Sequence, residues 1–264
     1  METNPISRMA NRLLERSWTS FAVELVLVVT GILIALAIDG WNADREDRRF
    51  ERVYLELLVR DLGQIESQLQ EQIEFETGIA SAAVALHDLI QNDDPTRHSR
   101  QIGQMLTGIA SRRTLVLDSA AYTDLISTGN LGLIQDRALR DRIIRYFADS
   151  ERRELIVEKN NRVFIDESFV SFVVDLGVSY YIWKDSPIAS ALNLDIIDDT
   201  FSQEMREPTD QVLSLPREAP EWAQLKQRLT WRAMVSIAAK GQAMSMLASA
   251  IELREALEAH LAKN

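Results

Sequence analysis

The stretch Trp18–Ile38, WTSFAVELVLVVTGILIALAI, decides the fold. Its few polar side chains are Thr19, Ser20, Glu24 and Thr30. As a helix at 1.5 Å per residue, residues 18–41 span about 34 Å, which is enough to cross the hydrocarbon core of a bilayer. Trp18 and Trp41 stand at the two ends, and amphipathic indole rings favour membrane–water interfaces. The stretch therefore predicts a transmembrane helix at residues 18–41, with both tryptophans as membrane-boundary anchors.

Two other interpretations of this stretch stay open. Ala35-Leu36-Ala37 has the small-x-small form of a signal-peptidase site, so the chain could be exported and released as a soluble helical protein. Against cleavage, Glu24 interrupts the apolar stretch and no helix breaker precedes the alanines. The stretch could instead be a buried helix of a soluble protein, which would require burial on every side.

Five residues near this helix fall on one stripe at helical spacing. They are Glu24, Gly31, Ala35, Asp39 and Asn42. Gly31 and Ala35 form a small-xxx-small pair that lets another helix approach closely, and Glu24 is costly in hydrocarbon unless it is bonded or protonated. The stripe predicts a transmembrane interface, with a protein partner or by self-association. Alternatively, Glu24 reaches the near interface and the small residues are incidental.

Residues 1–17 are predicted to form a short basic amphipathic segment on the cytoplasmic side. Arg8, Arg12 and Arg16 recur at four-residue steps, which suits the anionic headgroups of a cytoplasmic leaflet. Four more arginines lie within residues 45–52, beyond the other end of the helix, so charge alone does not select an orientation. We expect a single-pass protein of the cell inner membrane, with its bulk domain, residues 42–264, in the periplasm.

Composition favours an ordinary folded helical protein and disfavours nucleic acid as a partner. With 264 residues, 26% charged and 46% hydrophobic, the chain can bury a full core. A net charge of −11 repels phosphate backbones. The absence of cysteine excludes disulfides and cysteine-based zinc sites. Only 10 glycines and 6 prolines leave room for long helices rather than a turn-rich β-sandwich.

Apolar periodicity predicts long helices after residue 42. Apolar residues recur at three- and four-residue steps over 42–91, which is typical of a coiled coil or a long bundle helix. Further helices are predicted over 98–110, from Asp118 or Ser119 to about Thr128, over 137–182, and from Pro220 to Leu261, with an irregular segment at 184–218. The predicted fold class is all-α: one N-terminal transmembrane helix followed by a bundle of long antiparallel helices.

A structural turn is predicted between two of the shorter helices. Gly129 is placed to adopt the left-handed conformation after a helix end, and Asn130 tolerates that conformation beside it. Asp136 is a suitable N-cap for the following helix. A turn is favoured here over a ligand-binding loop.

No catalytic residue, cofactor or metal site is predicted. His87, His98 and His260 show neither His-x-x-x-His nor Glu-x-x-His spacing, and the sequence contains no phosphate-binding loop or nucleophile elbow. The aromatic tract 178–183 precedes the irregular segment. It either closes the end of the bundle, the favoured interpretation, or lines a pocket.

Two blocks of the sequence resemble a family of uncharacterised bacterial membrane proteins. The first, ELVLVVTGILIALAIDGWN at residues 24–42, carries a GILIAL-x-(I/V)-(D/N)-x-WN signature and is followed by Glu51 and Tyr54-Leu55. The second, AYTDLISTGNLGLIQD at residues 121–136, continues to Leu139-Arg140. Ala37 stands where such proteins often carry glutamine, and this departure creates the apparent cleavage site. The resemblance implies an uncleaved anchor, a helical extramembrane region and no established activity.

These observations lead to the hypothesis of a non-enzymatic, membrane-anchored helical interaction or scaffold module. Its expected partners are membrane lipid and a protein or second copy bound through the transmembrane helix. One alternative is a membrane-tethered small-molecule sensor with its ligand near residues 178–216. Others are an exported soluble protein and an enzyme whose carboxylate cluster the sequence does not reveal.

Overall fold

The chain is mostly helical in the part that the computed structural model describes, residues 5–178 and 215–263. Side chains of the first helix are described from Val23 onward. The first four α-helices are α1 Pro5–Asn92, α2 Ser99–Ile109, α3 Ala120–Ser127 and α4 Arg137–Asn160. A short 3-10 helix, Pro95–Arg97, separates α1 from α2. A π-helix, Asn161–Val170, then leads into α5 Ser171–Asp175, and α6 is Pro220–Leu261. Within these described ranges there is no strand. The predicted all-α class is confirmed.

Helices α1 and α6 run antiparallel and form the long axis of the bundle. Lys226 near the start of α6 donates to Gln91 at the end of α1, and Arg254 near the end of α6 pairs with Glu66. Buried positions on both helices alternate in steps of three and four, the heptad spacing of packed helices. On α1 they are Leu55, Leu58, Leu62, Ile65, Leu69, Gln72, Glu76, Ile79, Ala83, Leu86 and Ile90. On α6 they are Trp222, Leu225, Leu229, Arg232, Ser236, Ala239, Ala243, Met246, Ala250, Leu253 and Leu257.

The apolar core is divided into two clusters along this axis. The lower cluster packs residues 55–69 of α1 against residues 243–257 of α6, α3 and the first half of α4. The upper cluster packs residues 83–90 against α2, α5 and residues 219–233. The heptad positions between the two clusters include Gln72, Glu76 and Ser236, and we call these three residues together with Arg232 the polar layer.

α4, the π-helix and α5 form one continuous helical segment, Arg137–Asp175, and one face of this segment stays buried. Its buried positions Val157, Asn161, Ile165, Phe169 and Val173 recur at steps of four. In an α-helix at 100° per residue, four such steps would rotate the face by about 160°. The π-helix from Asn161 to Val170 has more residues per turn and removes most of that rotation.

The prediction of one helix over 137–182 is wrong at its C-terminal end, because α5 ends at Asp175. Gly177 has a φ of 72° and follows the helix in the left-handed region. Its N–H binds the Val174 carbonyl at 2.7 Å, and the Val178 N–H binds the Val173 carbonyl at 3.2 Å. This is a Schellman end, for which glycine is favoured. Val178 is buried in the upper cluster, whereas residues 179–183 of the aromatic tract lie outside the described residues.

The turn after α3 has the backbone expected of its sequence. Ser119 caps α3 by accepting from the Tyr122 N–H at 3.1 Å. Gly129 has a φ of 73° and precedes a short 3-10 turn, Asn130–Leu133. Asp136 then caps α4, accepting from the N–H groups of Ala138 and Leu139 at 2.9 and 3.1 Å. These contacts bring the chain back to the end of the bundle at which α6 finishes.

Gly129→Ala should lower the free energy of unfolding by about 1 kcal/mol, since a Cβ disfavours the left-handed conformation. A Cβ added there would meet no atom within 4 Å, so the cost comes from the backbone alone. Gly132→Ala is the matched control, because Gly132 also has open space but no positive φ. Urea titration of the full-length protein should leave the control within about 0.5 kcal/mol. Equal effects of the two variants would contradict the assignment.

Candidate functional site

The apolar part of α1 packs against nothing in the described part of the chain. Every residue from 23 to 50 is exposed, and the large apolar side chains from Val23 to Ile38 are 46–68% exposed. The apolar core begins only at Leu55. The segment is long and apolar enough to cross a membrane. The interpretation as a buried helix of a soluble protein would require burial on every side, and no described element supplies that burial for residues 23–50.

The predicted interface stripe lies on this uncovered surface. Glu24, Gly31, Ala35, Asp39 and Asn42 are all exposed, and a Cβ added at Gly31 would meet no atom within 4 Å. No described element covers the stripe, so its role as an interface stays a prediction.

The structure describes the side chain of only one of the two predicted boundary tryptophans, Trp41. Trp41 is exposed, and the Arg45 guanidinium carbon lies 5.9 Å from the centre of its ring. This places a cation beside the predicted water-facing end of the segment. Trp18 is helical, but its side chain lies outside the described residues. Helix α1 passes the predicted boundaries at residues 17–18 and 41–42 without a break.

Arg232 is the centre of the polar layer and joins three elements. Its side chain is fully buried. Nε donates to the Ile109 carbonyl at 2.9 Å and Nη2 to the Ser111 carbonyl at 2.9 Å, so the guanidinium binds the C-terminal end of α2. Nη1 donates to the Ser236 hydroxyl at 2.5 Å and lies 4.0 Å from Glu76 Oε2. Burial lowers the pKa of Arg232 to about 10, and the Glu76 carboxylate opposes that shift.

Glu76 and Gln72 complete the polar layer from α1. Gln72 Nε2 donates to Glu76 Oε1 at 2.9 Å. Burial raises the pKa of Glu76, and the neighbouring Ser236 hydroxyl and the charge of Arg232 oppose this shift. Among the described residues, Gln72 Oε1 and Glu76 Oε2 accept no hydrogen bond. The layer is therefore a buried ion pair with acceptors left over, which disfavours any arrangement that separates the two charges.

Three further side chains of α1 hold the segment that includes the second resemblance block. Asp61 Oδ2 accepts from the Ser119 hydroxyl at 3.0 Å and from the Ala121 N–H at 3.1 Å. Glu51 Oε1 accepts from the Gln135 N–H at 2.8 Å. Tyr54 donates to Asp124 at 2.5 Å, and this bond raises the pKa of the phenol. The block is thus a docked structural turn, fixed to α1 at both ends.

A cleft opens at the end of the bundle nearest the apolar segment, and we call it the basal cleft. Its volume is about 350 Å³. It is lined by three elements, through Arg48, Glu51, Arg52, Leu55, Gln135, Asp136, His260 and Leu261. Residues from α1, the start of α4 and the end of α6 meet there, so the cleft exists only once the bundle has formed.

Sequence reasoning missed the polar layer and the cleft for different reasons. Steps of three and four residues from Leu55 lead to Gln72 and Glu76. A search for apolar residues selects the neighbouring Ile73 instead of Gln72. A strict heptad places Gln72 and Glu76 on the buried face, but it does not identify Arg232 as their partner. No local pattern points to the cleft, because its walls lie about 80 to 200 residues apart in the chain.

No group of three or more metal-binding side chains occurs within residues 5–178 and 215–263. Burial is the main cause of a rise in the pKa of Glu154 to about 7, and the charges of Asp118 and Glu151 raise it further. The ligand site expected near 178–216 for a sensor lies almost entirely outside the described residues.

Comparison with known families identifies residues 24–165 as a match to a family of unknown function, DUF6090. The match covers more than half of the 264 residues. The chain belongs to this family. The matched range contains α1 from Glu24 onward and the segment docked on it through Glu51, Tyr54 and Asp61. Comparisons with curated proteins and with solved structures gave no match.

Arg232→Met should lower the free energy of unfolding by about 3–5 kcal/mol, because it leaves Glu76 buried without a counter-charge. The double variant Glu76→Leu/Arg232→Met should be more stable than Arg232→Met, since no buried charge remains. It should not regain the whole loss, because the carbonyls of Ile109 and Ser111 still lack their donor. Urea titration of the full-length protein measures both.

Lys226→Met is the control for this pair of variants, since Lys226 also lies on α6 and makes one long-range bond to Gln91. It should cost no more than about 1 kcal/mol. If Arg232→Met changed stability as little as this control, the polar layer would not have the stabilising role assigned to it.

Proposed function

We propose that this protein is a non-enzymatic, membrane-anchored helical interaction module. Residues 18–41 of α1 cross the cell inner membrane once, with the basic segment 1–17 in the cytoplasm. The bundle, residues 42–264, stands in the periplasm. In this proposal α1 is both the anchor and the central helix of the bundle.

The exposure of the apolar segment supports anchoring. Eleven large apolar residues between Val23 and Ile38 are at least 46% exposed. Burying such side chains is favourable by about 1.5–3 kcal/mol each, so leaving them in water forgoes on the order of 15 kcal/mol or more. A bilayer core removes that cost, and the helix satisfies its own backbone hydrogen bonds there.

The position of the stripe supports interaction with a neighbouring helix. Leu55, the first large core residue, comes thirteen residues after Asn42, which is about 220° around the helix. The stripe and the bundle core therefore lie on nearly opposite sides of α1. A second helix can approach Gly31 and Ala35 without meeting α4 or α6 of the same chain, and close approach of this kind is what small residues permit.

Retention of the anchor is tested by the intact mass and by extraction of the membrane fraction at alkaline pH. We expect the full-length chain to remain in the membrane pellet with a mass that includes residues 1–37. A soluble product beginning at Ile38 would show that the Ala35-Leu36-Ala37 site is cleaved and would overturn the anchoring proposal.

Association through the stripe is tested with Ala35→Ile. Ala37→Ile is the matched control, because it makes the same substitution about 200° away around the helix. Cross-linking of the full-length protein in its native membrane should give several-fold less product with Ala35→Ile and an unchanged amount with Ala37→Ile. The same cross-linked products with both variants would count against an interface on this stripe.

A further inference from the structure

The basal cleft combines cations from two helices with an apolar wall. Arg48 and Arg52 stand one turn apart on α1, and His260 faces them from the last turn of α6. Leu55 and Leu261 provide apolar surface beside these groups. A cleft of about 350 Å³ is large enough for a small polar group with part of an attached apolar chain.

The acidic residues of the cleft are already engaged by the fold. Glu51 accepts from the Gln135 N–H at 2.8 Å. Asp136 caps α4 through the Ala138 and Leu139 N–H groups, and its other oxygen lies 3.8 Å from His260 Nδ1. Their negative charges are thus directed toward backbone donors and the imidazole, and this weakens their effect on an anion in the cleft.

The two arginines differ in what they bind. Arg52 pairs with Glu56 at 3.0 Å on the surface of α1. Within the described part of the chain, the structure gives Arg48 no ion pair or side-chain hydrogen bond. A guanidinium without a partner at the mouth of a cleft can bind two oxygens of a phosphate group in parallel.

The distance of Arg48 from the proposed hydrocarbon boundary allows its side chain to reach the lipid headgroup layer. Its Cα lies about 10 Å along the helix from that of Trp41, the boundary residue. Side chains on a helix lean toward its N-terminus, so Arg48 extends back toward the membrane. The headgroup layer is about 5–7 Å thick on each side of the hydrocarbon. The guanidinium therefore meets the upper part of that layer, with the cleft opening above it.

We propose that the basal cleft binds the phosphate of an anionic phospholipid headgroup, with Arg48 as the main ligand and Arg52 and His260 beside it. The proposal rests on the anchoring proposed above, because only an anchored chain holds the cleft at the membrane surface. It adds a specific lipid contact on the bundle side to an anchor held by apolar burial, by its boundary tryptophans and by the basic segment 1–17.

Binding is measured by native mass spectrometry on the full-length protein in a neutral detergent, titrated with short-chain phosphatidylglycerol, phosphatidylcholine or glycerol phosphate. We expect phosphatidylglycerol to bind more tightly than the other two. Arg48→Gln should weaken that binding about tenfold, the effect of losing a charge-assisted contact. Arg49→Gln is the matched control, because Arg49 is exposed, carries the same charge one residue away and does not line the cleft.

Equal weakening by both variants would show a diffuse charge effect and would overturn the site. If glycerol phosphate bound as tightly as phosphatidylglycerol, the bound phosphate would not need to belong to a lipid, and the lipid assignment would be overturned. If phosphatidylcholine bound equally tightly, the preference for an anionic headgroup would be overturned. Because short-chain lipids are used in detergent, this result is independent of the anchor, whose cleavage would appear separately as a lower protein mass in the same spectra.

Discussion

The buried guanidinium of Arg232 is the constraint that fixes how the two longest helices align. Heptad spacing alone allows α1 and α6 to slide by seven residues and still place apolar groups together. Such a slide would move Arg232 away from Glu76 and from the two α2 carbonyls, leaving a charge in an apolar cluster. The correct alignment also brings the end of α6 beside Glu51 and Asp136, so the basal cleft follows from the polar layer.

Much of the fold could be predicted from local rules because its helix ends carry clear signals. Pro220 begins α6, Ser119 caps α3 and Asp136 caps α4, and each does so through groups within a few residues. The π-helix after Asn160 could not be predicted this way. It arises because packing against α6 requires burial at every fourth residue, and that requirement is set by the partner helix rather than by the segment's own propensity.

The candidate site likewise has one part that local spacing predicts and one part that depends on tertiary contacts. Glu24, Gly31 and Ala35 could be placed on one stripe from spacing alone, since a helix fixes their relative positions. Sequence patterns gave no reason to expect the polar layer, because glutamine, glutamate and arginine are seldom fully buried unless they are paired. Only the tertiary structure shows that Arg232 reaches the carbonyl ends of α2. Recognising a buried charge in a sequence requires knowing its partner, which here lies more than 100 residues away.

The continuity of α1 would couple the proposed membrane anchor mechanically to the bundle. The helix passes from the apolar segment through Trp41 to Leu55 without a break, although Gly40 lies in between. A neighbour on the stripe would therefore continue along the outward side of the bundle's first turns, where Val53 and Phe50 are 46% and 48% exposed. Large apolar side chains are exposed there, directly above the stripe, on the side that the described helices do not cover. An interface that began in the membrane would extend onto this surface, because an unbroken helix keeps the stripe and the surface at Phe50 and Val53 at a fixed angle about its axis.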